Sequence, residues 1–184
     1  MNSILESDAR LSERLHVAEK PGPVRSLAVF LAGSGDSWFW GAALILVWLV
    51  GDTFWKQWSI IILSAISVLA ALVLGLKFII RRRRPEGNWG KIYRNTDPHS
   101  FPSGHAARAF LIAVLAAGLG PAGLALALCI WAPLVSLARV AMGVHYVSDV
   151  VAGLVIGVLM GIAAFQIHGQ FLSWLASLVK FPLW

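Results

Sequence analysis

The sequence predicts an all-α integral membrane protein: a helical bundle of about five transmembrane helices preceded by an N-terminal amphipathic helix. Three observations carry this. The 184 residues are 58% hydrophobic and only 13% charged, with a mean hydropathy of +0.75, whereas soluble domains run near 45–50% apolar and about 25% charged. The few charges are crowded into residues 1–36 and 77–108. The apolar runs between them are continuous and rich in Leu, Ala and Ile, without the period-2 alternation of a membrane strand. A soluble globular domain and a disordered chain are both excluded on these grounds. The net charge of +6 suits a membrane surface better than nucleic acid, because the cations lie between long apolar runs.

The elements follow in order. Residues 1–23 mix Glu6, Asp8, Arg10, Glu13 and Arg14 with Ile4, Leu11 and Leu15, which would share one face of a helix. That is the pattern of an interfacial amphipathic helix rather than of a signal peptide. Residues 24–169 form the expected bundle. Segment 24–32 is a helical approach, interrupted by Gly33, Ser34, Gly35 and Asp36; the spans are then 37–50, 58–80, 103–119, 122–141 and 147–167. A span needs about 20 apolar residues, so the 15 residues of 170–184 are read as an interfacial tail. Trp38, Trp40, Trp55, Trp58, Trp89, Trp131, Trp174 and Trp184 mostly fall near span ends, as interfacial belts do. Gly153, Gly157 and Gly161 recur every fourth residue, which allows a second backbone to approach; the first reading is packing within the chain, the alternative a homodimer through that face. The single cysteine, Cys129, excludes an intrachain disulfide.

Ionisable residues retained at the ends of apolar spans point to function. Because spans alternate in direction, the ends near residues 80, 103, 141 and 147 fall on one membrane face. Lys77 and Arg84, seven residues apart and followed by Pro85, would lie on one helix face and could hold a phosphate, Arg through its fork and Lys as a point charge. A stop-transfer cluster with Arg81, Arg82 and Arg83 explains them as well. Pro102, Ser103, Gly104 and His105 open a helix, where a capping Ser and free N–H groups make an anion site; ordinary capping is the plainer explanation. Arg139 precedes His145 and Asp149, which are spaced as helix neighbours. A carboxylate there would fix the imidazole tautomer and leave the other nitrogen as a nucleophile or base. A polar pair between helices is again the alternative.

Taken together and in this order, Lys77-(six residues)-Arg84-Pro85, Pro102-Ser103-Gly104-His105 and Arg139-(five residues)-His145-(three residues)-Asp149 resemble the tripartite signature of the type 2 phosphatidic acid phosphatase family. The signature covers residues 77–149, and the helix order fits to about residue 167. The family usually carries Ser where Ala138 stands, which implies altered supporting hydrogen bonds.

The resemblance implies a hydrolase: a lipid phosphate phosphatase that needs no metal or other cofactor and works through a phosphohistidine. It implies His145 as nucleophile, Asp149 as its orienting carboxylate, and His105 as the acid that protonates the leaving oxygen and then activates water. Lys77, Arg84, Arg139, Ser103 and the Gly104 amide would bind the phosphoryl oxygens. Fixed cations and N–H donors suit phosphoryl transfer, which spreads charge over three equatorial oxygens. The phosphorylated lipid substrate is of the phosphatidylglycerophosphate, undecaprenyl pyrophosphate, phosphatidic acid or lipid A type. Asp97, His99 and Arg108 border the site and could reach a headgroup, whereas His16 and His168 read as structural or interfacial. Arg81, Arg82, Arg83 and Lys91 read as contacts to an anionic lipid surface. A lipid phosphotransferase with the same intermediate and a non-catalytic anionic-lipid binder are the competing classes.

The expected location is the plasma membrane of a bacterium or archaeon. Of the fifteen Lys and Arg residues, only Lys56 and Lys180 lie opposite the motif face, so the positive-inside rule points that face to the cytoplasm. The family resemblance points it outward.

Overall fold

The computed structural model describes residues 2–17, 20–87, 89 and 97–179; Lys91, Lys180 and Trp184 lie outside them. Seven helices form among the described residues: α1 (Asn2–Arg14), α2 (Pro23–Ser34), α3 (Ser37–Val50), α4 (Thr53–Ile80), α5 (Gly104–Leu119), α6 (Ala122–Ala141) and α7 (Val147–Leu178). The same residues form no strand; Arg83 and His99 make an isolated antiparallel bridge.

Helices α4, α6 and α7, of 28, 20 and 32 residues, are long and apolar enough to cross a membrane. Helices α2 and α3 together are long and apolar enough for one further span, bent by 53° at the break between Ser34 and Ser37. The fifth apolar segment, α5, has 16 residues and is about 24 Å long, short of the ~30 Å hydrocarbon core. It tolerates that length because it is the centre of the bundle: Ala106, Ala107, Ala109, Leu111, Ile112, Leu115 and Ala116 are wholly inaccessible. Around it, Leu44, Ile62, Leu69 and Leu128 close the core. On the outside the usual pattern inverts. Leu126, Ile130, Leu134 and Leu137 of α6 and Val151, Val155, Leu159 and Ile162 of α7 are exposed, which only a lipid surround makes favourable.

Two helices run further than the sequence suggested. Helix α4 begins at Thr53, five residues before the expected span, because Asp52 caps it by accepting from the Trp55 N–H at 3.1 Å. Helix α7 does not end near residue 167 but continues to Leu178. The tryptophans also divide. Trp38 and Trp174 are exposed, but Trp58 is buried. Trp40 and Trp131 turn inward, rings 5.2 Å apart, and donate to the Ser34 carbonyl and hydroxyl at 3.0 and 2.8 Å. They pin the break in the first span rather than join a belt.

The glycine repeat is consumed inside the chain. A Cβ on Gly153 would lie 2.5 Å from the Ser103 carbonyl oxygen, on Gly157 2.2 Å from that of Ala107, and on Gly161 2.8 Å from Val114 Cβ. Helix α5 therefore occupies this face of α7, backbone against backbone. The homodimer considered for the face is corrected accordingly, since a second chain would have to displace the central helix.

Candidate functional site

Helices α4 and α6 end, and α5 and α7 begin, at one end of the bundle, and the connections between them carry most of the ionisable side chains. Lys77, in the last turn of α4, is buried, as are Arg84, Ser103, Arg108, Arg139, His145 and Asp149. Polar groups buried this thoroughly must satisfy one another.

Lys77 and Arg84 converge, but not along a helix face. Helix α4 stops at Ile80, and Arg81 takes the left-handed conformation (φ 51°) while its N–H caps the Lys77 carbonyl at 2.9 Å. The chain then reverses in extended form, so that Arg84 returns beside Lys77. Arg84 donates to the Val144 carbonyl at 2.8 Å and to both the carbonyl (2.7 Å) and carboxylate (2.7 Å) of Asp97. Lys77 pairs with the same Asp97 carboxylate oxygen. Burial would raise the Asp97 carboxyl, but the hydrogen bond and charge of Lys77 and the charge of Arg84 outweigh it and hold its pKa below the usual range. Asp97 thus rests on two of the cations expected to bind a phosphoryl group.

His145 lies in the turn between α6 and α7. That turn needs Gly143 at φ 66° and is closed by the Val144 N–H donating to the Arg139 carbonyl at 3.2 Å. Nε2 of His145 is 3.2 Å from Arg84 Nη1. A guanidinium can only donate, so this nitrogen carries the lone pair and the proton of the neutral ring falls to Nδ1, which lies 3.6 Å from Asp149 Oδ2, beyond hydrogen-bond length. The approach arises at a helix start rather than along a helix. α7 begins at Val147, and Asp149 at its third residue accepts from the Tyr146 N–H at 2.9 Å. Burial first, then the charges of Arg84, Arg139 and Lys77, push the His145 imidazole well below its ordinary pKa. It is neutral at neutral pH.

The second histidine has a different support. Ser103 caps α5 by accepting from the Ala106 N–H at 3.5 Å and is tied to α7 by donating its own N–H to the Asp149 carbonyl at 2.9 Å. In the first turn, His105 Nε2 meets Asp36 Oδ1 at 2.7 Å. Asp36 comes from the break between α2 and α3. Arg108, which borders the cavity as expected, also grips that break, through the Gly35 carbonyl and the Ser37 hydroxyl. A Cβ on Gly35 would lie 2.8 Å from Val135 and 3.2 Å from His105, so the close approach requires glycine there.

A cavity of about 300 Å³ opens onto these groups. Lys77, Asp97, His99, His105, Arg108 and His145 line its polar end, and Ile66, Leu69, Ala70, Val73 and Leu74 of α4 line the rest. His99 borders it with its ring 5.9 Å from Phe78. His16 packs against Gly143 and His168 stacks on Phe165, both away from the cavity.

All eight sequence-predicted site residues thus fall at one end of the bundle. Sequence reasoning missed Asp36, whose one signal was an acid inside an otherwise apolar segment. It also assigned Arg82 to the lipid surface. Arg81 and Arg83 are exposed, but Arg82 turns inward, its Nη1 2.8 Å from Asp149 Oδ1.

Fold and site together define a membrane-embedded helical bundle whose buried neutral imidazole stands among cations at the head of an apolar cavity. Residues 58–173 match the PAP2 superfamily, and the chain belongs to that family. It is 33% identical over 153 residues to an undecaprenyl-diphosphatase of Sulfolobus acidocaldarius, covering 79% of this chain and 71% of the relative. It is 33% identical over 116 residues to a decaprenylphosphoryl-5-phosphoribose phosphatase of Mycobacterium tuberculosis, covering 62% of this chain and 63% of that protein. The fold is that of a PAP2-type phosphatidylglycerolphosphate phosphatase from Bacillus subtilis (TM-score 0.72, 21% identity, 99% of this chain and 90% of the other). Aquifex aeolicus LpxE is also similar (TM-score 0.65, 25% identity, 84% and 93%).

Proposed function

We propose that the protein hydrolyses a phosphomonoester or pyrophosphate on a membrane lipid through a phosphohistidine intermediate, without a metal. The observation that carries this reading is the single cavity in which two histidines and Lys77 stand at one end and an apolar wall of α4 at the other. A lipid phosphate fits that division, with its phosphate at the cations and its tail along α4.

The lone pair of His145 Nε2 attacks phosphorus while the bond to the lipid oxygen breaks, and His105 gives that oxygen a proton. Water then attacks phosphorus while the phosphorus–nitrogen bond breaks and its electron pair returns to His145 Nε2, His105 takes the water's proton, and phosphate leaves. Asp149 keeps the proton on Nδ1 and stabilises the charge that develops on the ring. Lys77, Arg84 and Arg139 share the charge on the phosphoryl oxygens, with Ser103 and the Gly104 N–H. Asp97 yields its cations to the incoming phosphate. A polyprenyl phosphate or diphosphate leads the candidate substrates, in keeping with the names of the two sequence relatives. Phosphatidylglycerophosphate, phosphatidic acid and a lipid A phosphate complete the set.

The test is phosphate release from this panel in detergent with chelator present. Release that persists with chelator supports the reading; transfer of phosphate to a second lipid without free phosphate would replace it with a phosphotransferase.

We assign the site face to the outer side of the plasma membrane and the α1 and 170–184 segments to the interface. Lys77, Arg84, Arg108 and Arg139 are buried in the bundle, so they do not count as free positive-inside determinants. Cysteines placed at Glu86 and at Asp52 in a Cys129→Ala background test this. Labelling of intact cells at Glu86 and not at Asp52 is expected, and the reverse overturns the assignment.

A further inference from the structure

Helix α7, which begins two residues after His145, has Tyr146 at its N-cap, with no side-chain cap bond of its own. The caps come from the other end of the chain. Ser12 of α1, fully buried, accepts from the Val147 N–H at 3.0 Å, and Asp8, one turn earlier, accepts from the Ser148 N–H at 3.1 Å. The first free donors of α7 are thus satisfied by two side chains of α1. Asp8 also holds one nitrogen of Arg82 at 2.7 Å. The other terminal nitrogen of Arg82 reaches Asp149 Oδ1 at 2.8 Å and the Ser148 hydroxyl at 2.6 Å. The guanidinium lies 3.9 Å from the centre of the Tyr146 ring, next to His145.

Asp149 is wholly inaccessible, and a buried carboxylate needs a fixed partner to stay charged and in place. Arg82 supplies that partner on one oxygen, and the Tyr146 N–H holds the oxygen that faces His145. Meanwhile Leu5 and Leu11 of α1, and Leu15 just after it, remain exposed. The helix therefore bonds the start of α7 through Asp8 and Ser12 and leaves leucines exposed alongside those bonds.

We propose that Arg82, fixed by Asp8, is a positioning residue for the Asp149–His145 pair, and that α1 is a working part of the active site. The proposal rests on His145 being the nucleophile. It separates Arg82 from the flanking Arg81 and Arg83, which face outward.

The experiment measures kcat and KM for Asp8→Asn, Arg82→Gln, Arg82→Lys and the Asp8→Asn/Arg82→Gln double variant, with Glu13→Gln as the control and His145→Ala alongside. The probe is dioctanoyl phosphatidic acid or farnesyl diphosphate, whichever the wild type turns over, in vesicles with and without anionic lipid. Asp8→Asn keeps an oxygen for the Ser148 N–H while removing the charge that holds Arg82. We expect kcat to fall about tenfold in Asp8→Asn and about a hundredfold in Arg82→Gln, with KM unchanged and with the same loss in both kinds of vesicle. The double variant should be no worse than Arg82→Gln, because Asp8 acts through Arg82. If Arg82→Gln does not fold, Asp8→Asn and Arg82→Lys carry the same test. Wild-type kcat in Arg82→Gln or Asp8→Asn, or a loss confined to KM that vanishes without anionic lipid, overturns the proposal. Phosphate release that survives in His145→Ala overturns the phosphohistidine reading instead, so the two failures are distinguishable.

Discussion

The two histidines of the site are built in opposite ways. His145 is 1% exposed, its Nε2 turned to Arg84 and its Nδ1 to a carboxylate four residues along the same chain. His105 sits in the first turn of the central helix and takes its carboxylate from Asp36, sixty-nine residues away at the break of another span. One pairing is local, and burial and the surrounding cations hold that imidazole neutral, which suits the nucleophile of the proposed mechanism. The other is remote and gives the imidazole an anionic partner, which suits the proton transfers of the proposed mechanism. The division of labour proposed for the two histidines rests on what each one faces.

The comparison can be broken most severely at His145. His145→Ala should lose turnover by about 10³-fold or more, and no phosphoenzyme should be trapped by rapid quench with labelled substrate; a trapped phosphoenzyme in the variant would refute the assignment. His105→Ala should lose about 10²–10⁴-fold on a lipid substrate, but much less on p-nitrophenyl phosphate, whose leaving group needs no proton. An equal loss on both substrates would mean that His105 is not the acid. Asp36→Asn should cost roughly ten- to a hundredfold in kcat, part of what general acid catalysis supplies, and again less on the activated substrate.

Smaller effects sharpen the contrast. Because the folded state holds His145 neutral, the unfolded chain takes up a proton at a pH where the folded one does not. Stability should therefore fall as pH drops below about 6.5. Thermal unfolding in detergent between pH about 6.5 and 5 should show this fall, and His145→Gln should show a shallower one; equal slopes would remove His145 as a cause. Asp97→Asn should be the mildest change. Removing the anion that Lys77 and Arg84 now hold should tighten vanadate inhibition several-fold, roughly a kcal/mol or less, in the range of a partly exposed ion pair. Weaker inhibition would show that Asp97 organises the cations rather than competing for them.

Legibility from the sequence followed the range of each interaction. That residues 77, 84, 103, 104, 105, 139, 145 and 149 gather at one end of the bundle was legible because chain order and helix alternation bring four span ends to one face. The mode of approach was misread at two places. Lys77 and Arg84 meet through a left-handed residue at Arg81 and a chain reversal, where a seven-residue spacing suggested a shared helix face. Asp149 reaches His145 at a helix N-terminus, where an i,i+4 spacing suggested a helical pair. Both errors assumed that a periodicity continues past the point where a helix stops.

The sequence by itself determined the membrane class, the apolar segments and the cationic end of the bundle, because hydropathy and charge are summed over neighbouring residues. Only the tertiary structure decided which buried charges pair. It set Asp36 against His105, Arg82 against Asp149 and Asp8 against Arg82, and it spent the glycines of α7 on the backbone of α5. A buried charge must find a partner wherever packing brings one, and packing between helices far apart in the chain leaves no period in the sequence to read.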